Sequence, residues 1–181
     1  MLNRCSDQPN LAVVDFQHGG WDRTIDFMRV TAGVKINEEL VDTAIPVQVD
    51  ERITFLVMHP IHCMESRAAN VASIPGYDTP HALRQMRAAC VCLREYLKDI
   101  LDGIAYPGEQ DVRVRDVLDL NKRIFRFSRD NQNARRVFRL HNIDTFDAVC
   151  TDSRLPEAFH REAYPRWRSQ LAKSRSREID D

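Results

Sequence analysis

Short apolar runs rich in β-branched and aromatic residues mark the first part of the chain. Two of them, at 11–16 and 24–30, are separated by a segment that contains a glycine pair. Apolar runs around a glycine turn predict two β-strands. A further two runs, at 45–49 and 52–57, flank a polar pair, which is the pattern of a β-hairpin.

From residue 59 onward the apolar positions repeat in steps of three and four, which is typical of amphipathic helices. Pro60 suits the first turn of one helix, and Thr79 followed by Pro80 predicts the start of the next. Further helices are predicted at about 111–128 and 134–140. The longest repeat follows Pro80 and consists of Leu83, Met86, Cys90, Leu93, Leu97, Ile100 and Ile104.

The order of these elements predicts the fold class. Strands come first and helices follow, which favours an α+β fold over an alternating parallel one. We predict a small, mostly antiparallel N-terminal sheet followed by a C-terminal helical bundle. The corresponding regions are a sheet region at 1–58, a helical region packed on it at 59–174, and a charged flexible tail at 175–181.

Length and charge limit the classes of function. A chain of 181 residues with 43% hydrophobic residues is long enough for one buried core. The net charge of −1 argues against binding of nucleic acid by bulk charge, although it leaves local binding open. Residues 1–60 hold five Lys/Arg and nine Asp/Glu, whereas residues 111–139 hold nine and four. The chain therefore has an acidic front and a basic middle.

The cysteines and the N-terminus predict a soluble protein of the cytoplasm. The five cysteines are odd in number and irregularly spaced, which does not resemble a disulfide framework. The chain does not begin with the apolar segment of a signal peptide, and it contains no run long enough to span a bilayer. We therefore expect no membrane partner.

Chemically active residue types concentrate where a strand runs into a helix, at residues 57–70. His59, His62 and Cys63 are ligand types that zinc prefers, and a cysteine beside histidines is also a candidate thiol nucleophile. No second ligand pair has the spacing of a zinc site. We therefore favour a capping His59, a semi-buried His62 and a packed Cys63.

Two aspartates stand between apolar neighbours in the predicted strands. Asp15 lies between Val14 and Phe16, and Asp26 has the same setting in the next strand. Alternation along a strand places each carboxylate opposite its apolar neighbours. The carboxylates then either point to solvent or face a shared divalent metal, as phosphoryl-transfer sites require.

A basic run occupies the predicted helices at 111–139. Arginine suits phosphate recognition, but intervening aspartates and sparse aromatic residues favour a solvated helix face. The run consists of Arg113, Arg115, Lys122, Arg123, Arg126, Arg129, Arg135, Arg136 and Arg139.

Three of these features together resemble a known family. The segment Thr24-Ile25-Asp26-Phe27-Met28, the hairpin at 45–57 and the strand-to-helix segment at 59–70 are similar to the second half of a nucleotidyltransferase-fold protein. The closest type is the abortive-infection and toxin-like branch of the polymerase-beta superfamily. The stretch Arg115-Asp116-Val117-Leu118-Asp119-Leu120 also resembles an element of that branch, although it lies farther downstream than the family leads us to expect.

The resemblance implies roles for individual residues. Asp26 would be the third catalytic carboxylate and a Mg²⁺ ligand, with Asp15 as a partial second ligand. Arg67, with Asn70 one turn further on, would lie beside the phosphates of a nucleoside triphosphate. The implied activity is metal-dependent nucleotidyl transfer.

One part of the family pattern is missing from this sequence. Such enzymes open with a Gly-Ser turn and an Asp-x-Asp or Asp-x-Glu pair, and this chain contains neither. Phosphoryl transfer depends on metals and positioning, so we expect the chain to be inactive alone. Two hypotheses follow: the C-terminal portion of, or a degenerate, nucleotidyltransferase, or a non-catalytic interaction or nucleotide-binding module related to toxin-antitoxin systems. An open sheet edge at 11–16 or 24–30 would favour self-association or a protein partner.

Overall fold

The fold belongs to the α+β class, as predicted. A computed structural model describes residues 10–28, 32–34, 38–48, 51–105 and 108–177. Its strands come first and form small antiparallel sheets, and the helices follow.

The first sheet consists of two strands joined by a tight turn. Strand β1 (Asn10–His18) pairs antiparallel with β2 (Trp21–Met28), in a register that places Val14 opposite Ile25. The two intervening glycines have φ angles of 62° and 79°, a backbone region that other residues rarely adopt. The glycine pair therefore fixes the position of the turn, and this predicted hairpin is confirmed.

The second sheet is separate from the first. A short helix, α1 (Glu38–Asp42), precedes β3 (Ile45–Gln48), which pairs antiparallel with β4 (Thr54–Val57). One small antiparallel sheet was predicted, and the described strands form two such sheets of two strands each. All four residues of β4 are exposed, so neither face of this hairpin is buried on the helices.

Helices make up the rest of the described chain. Four long ones come first: α2 (Pro60–Ser73), α3 (Pro80–Asp102), α4 (Gln110–Asp130) and α5 (Gln132–His141). A 3₁₀ turn at Thr145–Ala148 and a π-helical turn at Phe159–Ala163 follow, and α6 (Tyr164–Arg177) ends the described chain. None of the helices in the described residues is long and apolar enough to cross a bilayer.

Local capping signals place the helix ends where the sequence predicts them. The Thr79 side chain accepts a hydrogen bond from the Ala82 amide at the start of α3, which confirms the predicted N-cap. Gly103 ends α3 in the left-handed conformation, with φ 74°. Ile104, predicted on the apolar face, lies beyond this cap and is 73% exposed. That assignment is wrong because the helix ends before it.

The core lies between the helices and includes one buried amide. Its largest buried side chains come from α2 to α6 and are mostly aliphatic, including Met64, Leu93, Ile124 and Leu171. Asn121 is fully buried on α4, where it accepts from the Cys150 amide at 2.8 Å and donates to the Cys150 carbonyl at 2.9 Å. These two bonds fix the segment before α6 against α4.

The C-terminal helix is anchored by its last described turn. Arg175 donates to both carboxylate oxygens of Asp144, at 2.5 and 2.8 Å, and its guanidinium lies 3.7 Å from the centre of the Phe138 ring. Residues 175–177 of the predicted tail belong to α6. The predicted division of the chain into regions at residues 58 and 174 stays a prediction.

Candidate functional site

The histidine at the strand-to-helix junction is a helix cap. His59 precedes α2, and its Nδ1 accepts a hydrogen bond from the Ile61 amide at 3.2 Å. Its ring packs edge-on against Tyr96, with 5.0 Å between ring centroids. Burial, with smaller contributions from His62 and Arg123, lowers the pKa of His59 from 6.5 to about 4. His59 is therefore neutral near pH 7, and its predicted capping role is confirmed.

Cys63 has the surroundings of a packed thiol. Its Sγ lies 3.6 Å from the Met58 carbonyl oxygen, and burial raises its pKa. A reactive cysteine needs a lowered pKa, so these surroundings argue against a nucleophile. The described residues also contain no group of three or more His, Cys, Asp or Glu side chains placed to hold a metal ion.

The opposite side of α2 carries an ion-pair cluster that sequence reasoning missed. Arg123, on α4, donates to both carboxylate oxygens of Glu65, at 3.1 and 3.0 Å. Its remaining Nη1 donates to Glu39 on α1 at 2.8 Å. We call these three residues with His62 the Glu65 cluster. It joins three helices whose members lie up to 84 residues apart in sequence.

His62 completes the Glu65 cluster from a buried position. Its Nδ1 lies 3.2 Å from both a Glu65 oxygen and an Arg123 nitrogen, while its Nε2 has no partner among the described residues. The Glu65 side chain is only 12% exposed, whereas that of Arg123 is 34% exposed. The guanidinium thus neutralises a nearly buried carboxylate, while about a third of the Arg123 side chain stays exposed.

A cleft of about 610 Å³ opens beside this cluster, and we call it the α4 cleft. Two of its carboxylates are already neutralised: Glu65 by Arg123, and Asp130 by Arg129, whose nitrogens lie 2.6 and 2.7 Å from it. These contacts, above all the hydrogen bonds from Arg129, lower the pKa of Asp130. The lining residues are Glu65, Asp119, Lys122, Arg123, Arg126, Phe127, Asp130 and Asn131.

Two cations of the α4 cleft form no ion pair with a carboxylate of the described residues. Lys122 and Arg126 are exposed and make no ion pair with any other described residue. Asp119 is the remaining lining carboxylate without an ion pair in the described part of the chain. Among the lining residues without an ion pair, two cations therefore stand against the single carboxylate of Asp119, which favours an anionic ligand.

A second depression continues from the α4 cleft toward α6, and we call it the aromatic groove. It encloses about 360 Å³ and shares Asp119 and Lys122 with the α4 cleft. Phe159 and Trp167 form its aromatic wall, with ring centroids 5.7 Å apart. The lining residues are Leu118, Asp119, Lys122, Pro156, Ala158, Phe159, Glu162, Ala163, Arg166 and Trp167.

Two of the site residues implied by the family resemblance, Arg67 and Asn70, are not among the residues that line the α4 cleft. Arg67 points toward α3, where it donates to Gln85 at 3.0 Å, and it does not line the α4 cleft. Asn70 is half-buried on α2, and its backbone carbonyl accepts from the amide that ends this helix. Asp15 is exposed on β1. The side chain of Asp26 lies outside the described residues, so the predicted metal site stays a prediction.

The basic run was recognised in the sequence as a solvated helix face, and Lys122 and Arg126 are exposed. The structure adds that three of its nine members, Lys122, Arg123 and Arg126, line one cleft. The position of Arg126 three and four residues after the other two was the available signal, because such positions share a helix face. The aromatic groove was missed, since its walls come from distant parts of the sequence.

Known proteins offer no guide to this arrangement. No protein-family model matches the chain, and neither a curated protein nor a solved structure matches it. Function is therefore inferred from the site itself.

Proposed function

We propose that this chain is the nucleotide-binding part of a nucleotidyltransferase-like protein and does not transfer nucleotides on its own. The observation that carries the proposal is the pair Lys122 and Arg126, two exposed cations that form no ion pair among the described residues, in the α4 cleft beside Arg123. Polyphosphates need several converging cations, and guanidinium groups bind phosphate oxygens in defined geometry. The four free cysteines of the described chain support a reducing, cytoplasmic environment.

The Glu65 cluster supports the same proposal through rigidity. Arg123 is held by a bidentate pair with Glu65 and a third bond to Glu39, so this part of the cleft wall is ordered before any ligand binds. Lys122 and Arg126 lie one residue before and three residues after it on the same helix. The three cations therefore converge without any rearrangement of the backbone.

Binding without transfer is proposed because of the motifs that the sequence lacks. A nucleotidyltransferase needs carboxylates that hold two metal ions against the triphosphate. The sequence has no Asp-x-Asp or Asp-x-Glu pair and no Gly-Ser turn. On this proposal Mg²⁺ enters bound to the nucleotide, and a partner would supply the catalytic acids.

Thermal unfolding with ATP and Mg²⁺ tests the proposal. A ligand that binds only the native state stabilises it by about 1.4 kcal/mol at ten times its Kd, so the melting temperature should rise. The double substitution Lys122→Gln with Arg126→Gln should abolish this rise. The control is Arg136→Gln with Arg139→Gln, which removes the same charge from exposed positions of α5 outside the cleft.

Two results would overturn the proposal. One is the absence of any shift at millimolar ATP, and the other is an equal loss in the α5 control. A third variant, Arg67→Gln, distinguishes phosphate binding in the α4 cleft from phosphate binding beside Arg67. If it alone abolishes the shift, the phosphates bind at the position implied by the family resemblance and not in the α4 cleft.

A second function, self-association, is favoured by the β3–β4 hairpin. Phe55 and Leu56 are 59% and 64% exposed, and both strands are edges of a two-stranded sheet. An isolated pair of strands is marginally stable, and an antiparallel edge is complementary to a second copy of itself about a two-fold axis. We propose a second copy of this chain as the occupant. Light scattering should show a dimer that Phe55→Lys dissociates, and a monomer at high concentration would contradict the proposal.

A further inference from the structure

We infer that the aromatic groove holds the base of the nucleotide whose phosphates lie in the α4 cleft. This inference rests on the proposed function and extends it by assigning a base site and a ribose contact. Its starting point is that the two depressions meet, because Asp119 and Lys122 line both. A single extended ligand can therefore occupy both.

The length of the combined depression suits a nucleotide. Its lining follows α4 from Leu118 to Asp130, twelve residues along the helix. At about 1.5 Å per residue this corresponds to roughly 18 Å. The groove volume of 360 Å³ lies at the lower end of the usual range for small-molecule sites, as expected for a base with its sugar.

The walls of the aromatic groove suit a planar ring. Leu118, Phe159, Ala163 and Trp167 provide apolar and aromatic surface. Trp167 also stacks on Phe125, with 4.9 Å between centroids and 6° between planes, so its position is set before any ligand arrives. Bases bind well to such preorganised aromatic side chains, with little dependence on base identity.

An irregular helical turn shapes the far wall. At Phe159–Ala163 the chain forms a π-helix, in which the Tyr164 amide bonds to the Phe159 carbonyl five residues earlier. This wider turn brings Phe159 and Ala163 to the same groove. Single π-helical turns inside helices are often found at binding sites, which agrees with the role inferred here.

The chemical order along the depression matches the order of groups in a nucleotide. Aromatic surface lies at one end together with Glu162 and Arg166, Asp119 and Lys122 lie at the junction, and Arg126 lies at the other end. A base, a ribose and a polyphosphate follow in the same sequence. The Asp119 carboxylate is therefore placed to accept a hydrogen bond from a ribose hydroxyl.

The test compares ATP with inorganic tripolyphosphate, which has the phosphates without base or sugar. It uses the substitution Trp21→Phe, so that Trp167 is the remaining tryptophan and its fluorescence reports on the groove. ATP should change this fluorescence, and tripolyphosphate should bind by calorimetry without changing it. ATP should also bind at least about fivefold more tightly, the lower limit of what stacking contributes.

A blocking variant tests the location of the base. Ala158 is exposed at the edge of the groove, and Ala158→Leu should weaken ATP binding to the level of tripolyphosphate without affecting tripolyphosphate itself. The control is Ala172→Leu, an exposed position of α6 that does not line the groove. Circular dichroism and melting temperature check that both variants fold.

The outcomes separate this inference from the proposed function. If ATP and tripolyphosphate bind equally and Ala158→Leu changes neither, the base site is wrong while the phosphate site stands. If neither compound binds, the proposed function fails as well. Tighter binding of a short oligoribonucleotide than of ATP would overturn the assignment to a single nucleotide.

Discussion

The ion pair between Glu65 and Arg123 provides the sharpest test of how the α4 cleft is built. Arg123→Met keeps the length and much of the apolar contact of the side chain but removes its charge and its donors. The Glu65 carboxylate then stays 12% exposed without its bidentate partner. In the folded state the Glu65 carboxylate must then either remain charged without a partner or take up a proton.

The expected loss of stability in Arg123→Met follows from how exposed the Glu65 and Arg123 side chains are. Breaking a fully buried pair by removing one partner costs about 3–5 kcal/mol. Because the Arg123 side chain is 34% exposed, solvent screens part of this cost, and we expect a loss of about 2–3 kcal/mol in the free energy of unfolding. Glu39 is 55% exposed, so Glu39→Gln should cost less than about 1 kcal/mol.

Urea unfolding of a double-mutant cycle measures the interaction itself. With Arg123→Met, Glu65→Gln and the double variant, we expect a coupling energy of about 1–2 kcal/mol. The double variant should be more stable than Arg123→Met alone, because the carboxylate without a partner is gone. A coupling energy near zero, or a loss below about 0.5 kcal/mol for Arg123→Met, would refute the argument from burial.

Three further predictions concern stability. Asn121→Ala leaves the buried amide and carbonyl of Cys150 without partners and should cost about 3–5 kcal/mol in chemical denaturation; a loss under about 1 kcal/mol would contradict it. The pKa of His59 is about 4 in the folded chain and 6.5 as its ordinary value. At a pH between these two values, the imidazole is therefore protonated in the unfolded chain but neutral in the folded one. Stability should therefore fall as the pH drops from 6.5 to 4, and His59→Asn, which keeps a capping acceptor, should flatten this part of a pH titration of stability. Arg175→Ala removes the paired contacts to Asp144 and should cost about 1–2 kcal/mol; an unchanged melting temperature would show that the last turn of α6 is not anchored.

Local signals in the sequence predicted the elements well. The glycine pair before Trp21 and Thr79 before Pro80 act through neighbouring backbone conformations and hydrogen bonds. Such effects depend on residues within a few positions, so they can be recognised without the fold. They also account for the α+β order of strands and helices.

The candidate site was predicted only in part. The clustering of basic residues on α4 was visible, because positions three and four apart share a helix face. The pairing of Arg123 was not visible in the sequence, because its partners Glu65 and Glu39 lie 58 and 84 residues away from it. The sequence alone does not show which cations those carboxylates neutralise.

The sequence by itself determined the first hairpin and the positions of most helices, because capping, turn geometry and periodicity act over one or two turns. Only the tertiary structure decided that the strands form two separate hairpins and that Arg123, not Lys122 or Arg126, is paired with carboxylates. It also brought Trp167 and Phe159 beside α4. Packing between distant helices sets these contacts, and helical periodicity specifies a face but not its neighbour.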